Sequence, residues 1–333
     1  MDSIQTKITA APQRKYNTDQ NKWADYIELL CLLTNGGYIK VDELQNRLND
    51  EAIGDSNDAL GTSDVADFDE NLEKADDKLT SVLRQRFEFL AQRQRHFSEK
   101  YPFVINLNTY AISIKSNISE DIFQPYLFFL LASNLDYCRS RLHELSNLFE
   151  RISLSISEAM FQQQFQALHF GTARSHDSVF RGNGLERLEI LAEQLNLNLR
   201  TDIDRNVVRA NTNGDFGIDI VCYQKWGDYQ SNSGLIFIQC GCGQDWVDKQ
   251  LEAHPVIQES FFQFRNKPAT VLFIPHNFRD TSNKWAYPTV LSDVIIVDRW
   301  RLLHADFVYS QTDITAMREL VEELLAEKID YFS

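Results

Sequence analysis

Cysteine is scarce in this chain: five among 333 residues, at positions 31, 138, 222, 240 and 242, odd in number and scattered. That usage excludes a disulfide scaffold and fits reduced thiols. Proline and glycine are also few, at 7 and 13, which excludes collagen-like and low-complexity architectures. No apolar run approaches the roughly 18 residues of a membrane span; the longest, from Pro125 to Ala132 with its flanks, stops well short. The opening residues, MDSIQTKITAAPQRK, lack the apolar core of a secretion signal. The expected compartment is therefore the cytoplasm, with no membrane partner. Positive charge is short as well: 33 Lys and Arg against 48 Asp and Glu leave a net charge of −15. A protein that coats nucleic acid by charge alone is excluded.

What is present describes an ordinary folded protein, 43% hydrophobic and 24% charged, of a length that suits one or two cores. The acidity is local. Residues 50–77 hold eleven Asp and Glu against Lys74, so this stretch alone carries −10 and the rest only about −5. A basic surface elsewhere, and with it a DNA-binding function, stays open. Rich in Asp, Gly, Ser and Asn, the stretch reads as a mobile linker that cannot offset its ordering entropy. The sharper alternative is a nucleic-acid mimic that occupies a basic groove.

The expected organisation is an N-terminal helical segment (1–49), the acidic linker (50–77), a helical domain (78–169) and an α/β domain (170–333). Trp23, Tyr26, Ile27, Leu30 and Leu33 follow helical spacing, and Asn35-Gly36-Gly37 stops that helix. Asp42 caps a short helix, and a long one runs from Leu79 to about Phe97. Val104 to Ile114 reads as a hairpin, and helices follow near 120–137 and 140–165. A helix-turn-helix or winged-helix element within this half is one reading of that order. Beyond Leu185–Leu197, an amphipathic helix, strand-like runs fall at 206–210, 218–223, 234–240, 269–275 and 294–297. A helical segment at 245–264 interrupts them and a helix closes the chain. A mixed order with a crossover helix implies an α/β sheet covered on both faces.

Gly214-Asp215-Phe216-Gly217-Ile218-Asp219-Ile220-Val221 is the most informative stretch. The glycines make a tight turn that delivers Asp219 into an apolar strand, Ile218 and Ile220 facing one way, Asp219 and Val221 the other. A carboxylate among β-branched core residues is costly unless it is paired or binds a cation; an Asp that caps the turn is the alternative. The run Leu235-Ile236-Phe237-Ile238-Gln239 is a second apolar strand, and pairing would set Gln239 beside Asp219. Upstream, Glu186 and Glu189 share one face of a helix.

A helix Glu, a Gly-Ile-Asp strand and a following strand ending in Gln resemble the PD-(D/E)XK nuclease superfamily, in its Mrr-like restriction-endonuclease branch. The likeness spans about Phe170 to Val297. It implies a restriction-endonuclease-like mixed sheet flanked by helices, in which Asp219, Glu186 (after it Glu189) and Gln239 hold Mg²⁺ or Mn²⁺. The family's lysine two residues after the glutamine is absent: Gly241 stands there. Lys249, on the next helix, is the candidate for a migrated lysine. A cation held by hard oxygens would stabilise the phosphoryl oxygens and generate hydroxide, with Lys249 orienting the water. The resemblance implies a Mg²⁺-dependent endonuclease acting on DNA in prokaryotic restriction or antiphage defence. It also implies a homodimer or a partner protein engaged through the N-terminal helical domain. A catalytically inactive interaction subunit and an RNA nuclease are the alternatives. Competing chemistry is weaker: Cys240-Gly-Cys242 lacks further ligands at zinc spacing, and His169, His176, His254 and His276 are scattered. Arg84, Arg86, Arg93 and Arg95 on the long helix, with Arg139 and Arg141, either track phosphates or are solvated helix positions. Asp298-Arg299-Trp300-Arg301 either lines a groove rim or forms a structural Asp–Arg pair.

Overall fold

The computed structural model describes residues 19–56, 66–161, 165–171, 179–203, 208, 216–228, 233–305 and 308–326. The chain divides into two compact units: one holds residues 1–141, 278–286 and 317–333, the other 142–277 and 287–316. The division falls at Arg141–Leu142 rather than after residue 169, so the segment from Leu142 onward belongs with the sheet and not with the helices before it.

In the first unit, α1 (Gln20–Leu33) is capped by the Asp19 side chain, which accepts from the amides of Asn21 and Lys22. It is buried almost all round, as is α4 (Gln124–Ala132), so neither shows a polar stripe. Between them lie β1 (Tyr38–Lys40), α2 (Val41–Ser56), α3 (Ala66–Phe97), β2 (Phe103–Asn106) and β3 (Ala111–Ile114). The strands form an antiparallel sheet in the order β1-β3-β2. The order is thus helix–strand–helix–helix–hairpin, with the first strand added to the hairpin. The acidic stretch is no linker where it is described: the backbone of 50–56 and 66–77 is helical, and 57–65 lie outside the described residues. Glu, Leu, Lys and Ala there favour helix.

Two of the long helix's arginines face inward. Arg93 is buried and donates to Asp25, to Glu28 at 3.0 Å and to the Asn21 side chain at 3.0 Å. The hydroxyls of Tyr101 and Tyr126 add donors to Glu28 at 2.7 and 2.8 Å. Arg86, also buried, lies over the Trp23 ring. Neither is placed to track phosphates.

The second unit is built on a five-stranded sheet in the order β10-β9-β7-β6-β4. Its strands are β4 (Phe165–His169), β6 (Ile220–Gln224), β7 (Leu235–Cys240), β9 (Ala269–Phe273) and β10 (Ile295–Val297). A separate pair, β5 (Asn198–Leu199) and β8 (Phe262–Gln263), lies outside it. β4, β6 and β7 pair antiparallel; β7, β9 and β10 pair parallel. The parallel β7–β9 step needs a crossover, supplied by residues 241–268. Pro255 opens a new helix within that crossover. The helix expected over 245–264 is thus two short turns, α7 (Trp246–Lys249) and α8 (Pro255–Gln258). The strand expected at 206–210 lies outside the described residues apart from Val208, while the helix expected to reach Phe165 gives way there to β4. Helix α5 (Leu142–Phe161) in fact stops before it.

The sheet has helices on both faces. Leu185, Leu188 and Leu191 of α6 (Gly184–Leu195) pack on Val221, Tyr223 and Phe237. Cys240, three residues beyond Phe237 and so on the opposite face, is within hydrogen-bond reach of Ser153 on α5. After β10, Asp298 caps α9 (Arg299–His304), and buried Arg299 donates to the Pro275 carbonyl at 2.7 Å. That segment is a structural cap and not a groove rim. Helix α10 (Gln311–Leu325) carries the last boundary between the units. Among the described residues no helix is long and apolar enough to cross a membrane.

Candidate functional site

Asp219 stands immediately before β6, at the end of a turn in which Phe216 and Gly217 both take positive φ (53° and 75°). At Gly217 the left-handed backbone and the space both demand glycine, because a Cβ would lie 2.5 Å from the Glu252 Cβ. The simple alternation expected through this strand does not hold. Ile218 joins Val221 and Tyr223 in the core beneath α6, so the chain shifts phase at Asp219. The shift is pinned by the backbone. The Asp219 amide donates to Ile238 O at 2.9 Å, while its carbonyl accepts from Phe170 and Gly171 at 2.7 and 2.8 Å. The Cys240 amide donates to Asp219 Oδ2 at 2.7 Å, fixing a carboxylate that is 8% exposed.

The other carboxylate oxygen faces the end of β4. The position a Cβ would take on Gly171 lies 3.1 Å from Asp219 Oδ1, 2.9 Å from Glu150 Oε2 and 3.3 Å from His169 Nε2. The two carboxylate oxygens therefore stand no more than about 6 Å apart, with an imidazole beside them. His169 Nε2 is 3.3 Å from Glu150 Oε2. Buried Arg187 on α6 donates to the carbonyls of Phe170 and Gly171 and holds this corner in place. Glu150 comes from α5, so three elements meet here.

The remaining expected residues are distributed around this corner. Gln239 is opposite Asp219 in the extended β6–β7 register, as expected. Its side chain, however, reaches the crossover, where Nε2 donates to Glu252 Oε2. Glu186 is engaged at the start of its own helix. Exposed in the first turn of α6, it accepts the Asn183 amide at 2.9 Å, while Asn183 Oδ1 accepts from the amides of Leu185 and Glu186. This reciprocal capping box explains its spacing in the sequence. Lys249, about a third exposed, pairs with Asp245 at 3.3 Å.

Cys240 and Cys242 report the field of the site. Burial pushes the Cys240 thiol well above its usual range, and Asp219 and Glu150 push it further. Cys242 is raised in the same way, by burial, then Glu150 and Asp219, with Lys249 acting in the opposite direction. Both thiols stay protonated at neutral pH. His276 is satisfied: Nε2 donates to the carbonyls of Cys242 and Gly243 and the ring stacks on Trp246. Glu150, His169 and Glu252 carried no local signal, since each lies outside the Gly-Ile-Asp and Gln stretches and only the fold brings them in. Among the described residues no group of three or more His, Cys, Asp and Glu is arranged to hold a metal. Compared with known proteins, the chain matches no family model, no curated protein and no solved structure.

Proposed function

We propose that the chain is a divalent-metal-dependent nuclease acting on DNA, with Asp219 and Glu150 as its paired carboxylates. The observation that carries this reading is their approach around Gly171, whose Cβ position lies 2.9 Å from Glu150 Oε2 and 3.1 Å from Asp219 Oδ1. Two like charges that close are unfavourable in a half-buried site unless a cation lies between them. The residues fit Mg²⁺ or Mn²⁺. Such ions take hard oxygens, bind through one or two carboxylates and complete their shell with water and substrate phosphate. Bound there, the ion would supply charge to the phosphoryl oxygens and acidify an attacking water.

The protein's own groups prepare that corner. The Cys240 amide fixes one Asp219 oxygen and leaves the other toward Gly171. His169 holds Glu150 in place, and Lys249 brings positive charge to the rim, where its field reaches Cys242 together with those of Glu150 and Asp219. The mixed sheet with helices on both faces supports the restriction-endonuclease-like reading, with Glu150 on α5 taking the part first expected of Glu186. A setting in restriction or antiphage defence, a homodimer, and a partner held by the first unit belong to the same proposal, as does a cytoplasmic location.

One observation favours an inactive interaction subunit instead. Gly241 stands where the family has its lysine, and a Cβ there would lie 3.2 Å from the Trp246 Cβ, a tight fit. The two readings separate in one experiment. Plasmid and single-stranded DNA are incubated with Mg²⁺, Mn²⁺ or EDTA and wild type, Asp219→Ala, Glu150→Ala, Glu186→Ala or Lys249→Ala. Cutting should need the metal and fall by about 10²-fold or more in Asp219→Ala and Glu150→Ala, while Glu186→Ala retains it. Cutting that survives Asp219→Ala or EDTA overturns the reading. No cutting, together with no Mg²⁺ binding by calorimetry, leaves the interaction subunit.

A further inference from the structure

The Asp219–Glu150 corner has a third donor atom, and because it is a nitrogen it changes which ion the corner suits. His169 ends β4 and pairs with Ile220 of β6, so it arrives one residue along from Asp219. Side chains directly opposite across a ladder share a face. Val221 and Tyr223 pack beneath α6, which leaves Ile220, and with it His169, on the face that α5 covers. Glu150 comes from α5, so the imidazole and the carboxylate meet on that side.

The spacing is that of ligands. Glu150 Oε2 and His169 Nε2 stand 3.3 Å apart. Neighbouring donors on one octahedral ion, each about 2.1 Å from it, are about 3 Å apart. Asp219 is the fixed member of the three, because the Cys240 amide holds its other oxygen at 2.7 Å. Glu150 and His169 are the adjustable ones: their side chains keep 17% and 14% of their surface exposed, so the corner opens to solvent on their side. The contact with Glu150 is the one hydrogen bond the imidazole makes among the described residues. Nothing there ties the ring to one tautomer, and a proton carried on Nδ1 leaves Nε2 bare beside the two carboxylates.

We propose that His169 Nε2 is the third ligand of the ion held by Asp219 and Glu150, which makes the corner a site for a first-row transition ion in preference to Mg²⁺. The inference rests on the metal-dependent reading above and narrows its ion. Two carboxylates serve Mg²⁺ and transition ions alike. An imidazole nitrogen adds affinity for the transition ions and little for Mg²⁺, which keeps to oxygen. The two carboxylates offset the charge of the ion, and a neutral ring adds a ligand without adding charge. Mn²⁺ stands lowest in the affinity order of that series, so it is the most demanding probe of the nitrogen.

The test is pulsed electron paramagnetic resonance of Mn²⁺ bound to the full chain, with calorimetric titrations of Mn²⁺ and Mg²⁺. Wild type should show a nitrogen hyperfine coupling that shifts when histidine alone is isotopically labelled at nitrogen. That spectrum decides without any variant. His169→Gln keeps an amide donor toward Glu150 and removes the imidazole. It should abolish the coupling and weaken Mn²⁺ by about 10-fold or more, with Mg²⁺ affinity unchanged. Mn²⁺ that binds wild type, is lost in Asp219→Ala and shows no nitrogen coupling overturns the imidazole ligand and leaves the carboxylate reading standing. The contact between His169 and Glu150 is then a hydrogen bond only. Coupling that survives in His169→Gln assigns the nitrogen to another residue and overturns the proposal equally. Wild type that binds no Mn²⁺ sinks the metal-dependent reading, and this inference with it.

Discussion

The two units bury carboxylates to opposite ends. In the first, Asp25 and Glu28 lie beside Arg93, and each of their four oxygens receives a donor. Arg93 reaches Asp25 Oδ1 and Glu28 Oε1, Ser133 reaches Asp25 Oδ2, Tyr101 reaches Glu28 Oε1, and Tyr126 reaches Glu28 Oε2. In the second, Asp219 and Glu150 approach each other around Gly171 with one amide and one imidazole among their donors. A carboxylate pair with a cation built in is a structural device. A pair that converges on one glycine at the end of a strand has the character of a binding site.

The comparison can be broken by stability measurements. Arg93→Met should leave two buried carboxylates uncompensated and cost about 3–5 kcal/mol in denaturant unfolding. Asp219→Asn removes one of two like charges and should change stability by less than about 1 kcal/mol. If Asp219→Asn destabilises as much as Arg93→Met, the second pair is structural too and the distinction falls.

Alkaline pH sharpens it next. Burial, with Glu28 beside it, pushes the Tyr101 phenol well above its usual range, and burial pushes Cys222 up to about 12 from an ordinary 9.0. In both, the folded form keeps its proton after the unfolded chain has lost it. The stability they contribute is full below the unfolded values and is lost as pH rises toward the folded ones. Each group should cost up to about 1.4 kcal/mol per pH unit, Cys222 above about pH 9 and Tyr101 above about pH 10. Phenolate and thiolate absorbance, followed alongside thermal unfolding, tells which unit opens first. A midpoint that holds steady through that range contradicts the burial of both groups.

The smallest effect concerns the residue whose role changed. Asn183→Ala removes half of the capping box and should cost about 1 kcal/mol, with DNA cutting left as in wild type. A loss of cutting in Asn183→Ala or Glu186→Ala that exceeds the loss of folded protein returns Glu186 to the site.

Legibility followed the range of the interactions. The glycines and β-branched neighbours of Asp219 announced it locally, and the apolar run before Gln239 announced β7. The amphipathic face of Leu185, Leu188 and Leu191 fixed α6 almost to its ends. Glu186 misled because a carboxylate three residues after Asn183 obeys the capping rule as readily as a catalytic one. Glu150 was illegible because it lies 69 positions before Asp219, within an amphipathic helix where any acid reads as solvated. The alternation through Ile218–Val221 failed because the Asp219 backbone binds β4 and β7 at once, a demand that no local pattern carries. The polar, apolar-poor composition of the acidic stretch reads as a linker, whereas the backbone is helical over 50–56 and 66–77.

The first unit is assembled from three separated stretches of chain, the last beginning at Met317. Asn21, in the buried helix α1, donates to the carbonyl of Arg279, 258 residues later. During synthesis the N-terminal part therefore emerges long before its own core can close, and most of the second unit is made in the meantime. Completion of the first unit must wait for the second unit's sheet strands to leave the ribosome. A chain truncated anywhere before residue 278 should expose α1 and α4 to aggregation or to chaperones, and quality control of the N-terminal half doubles as a check that the C-terminal half has been made.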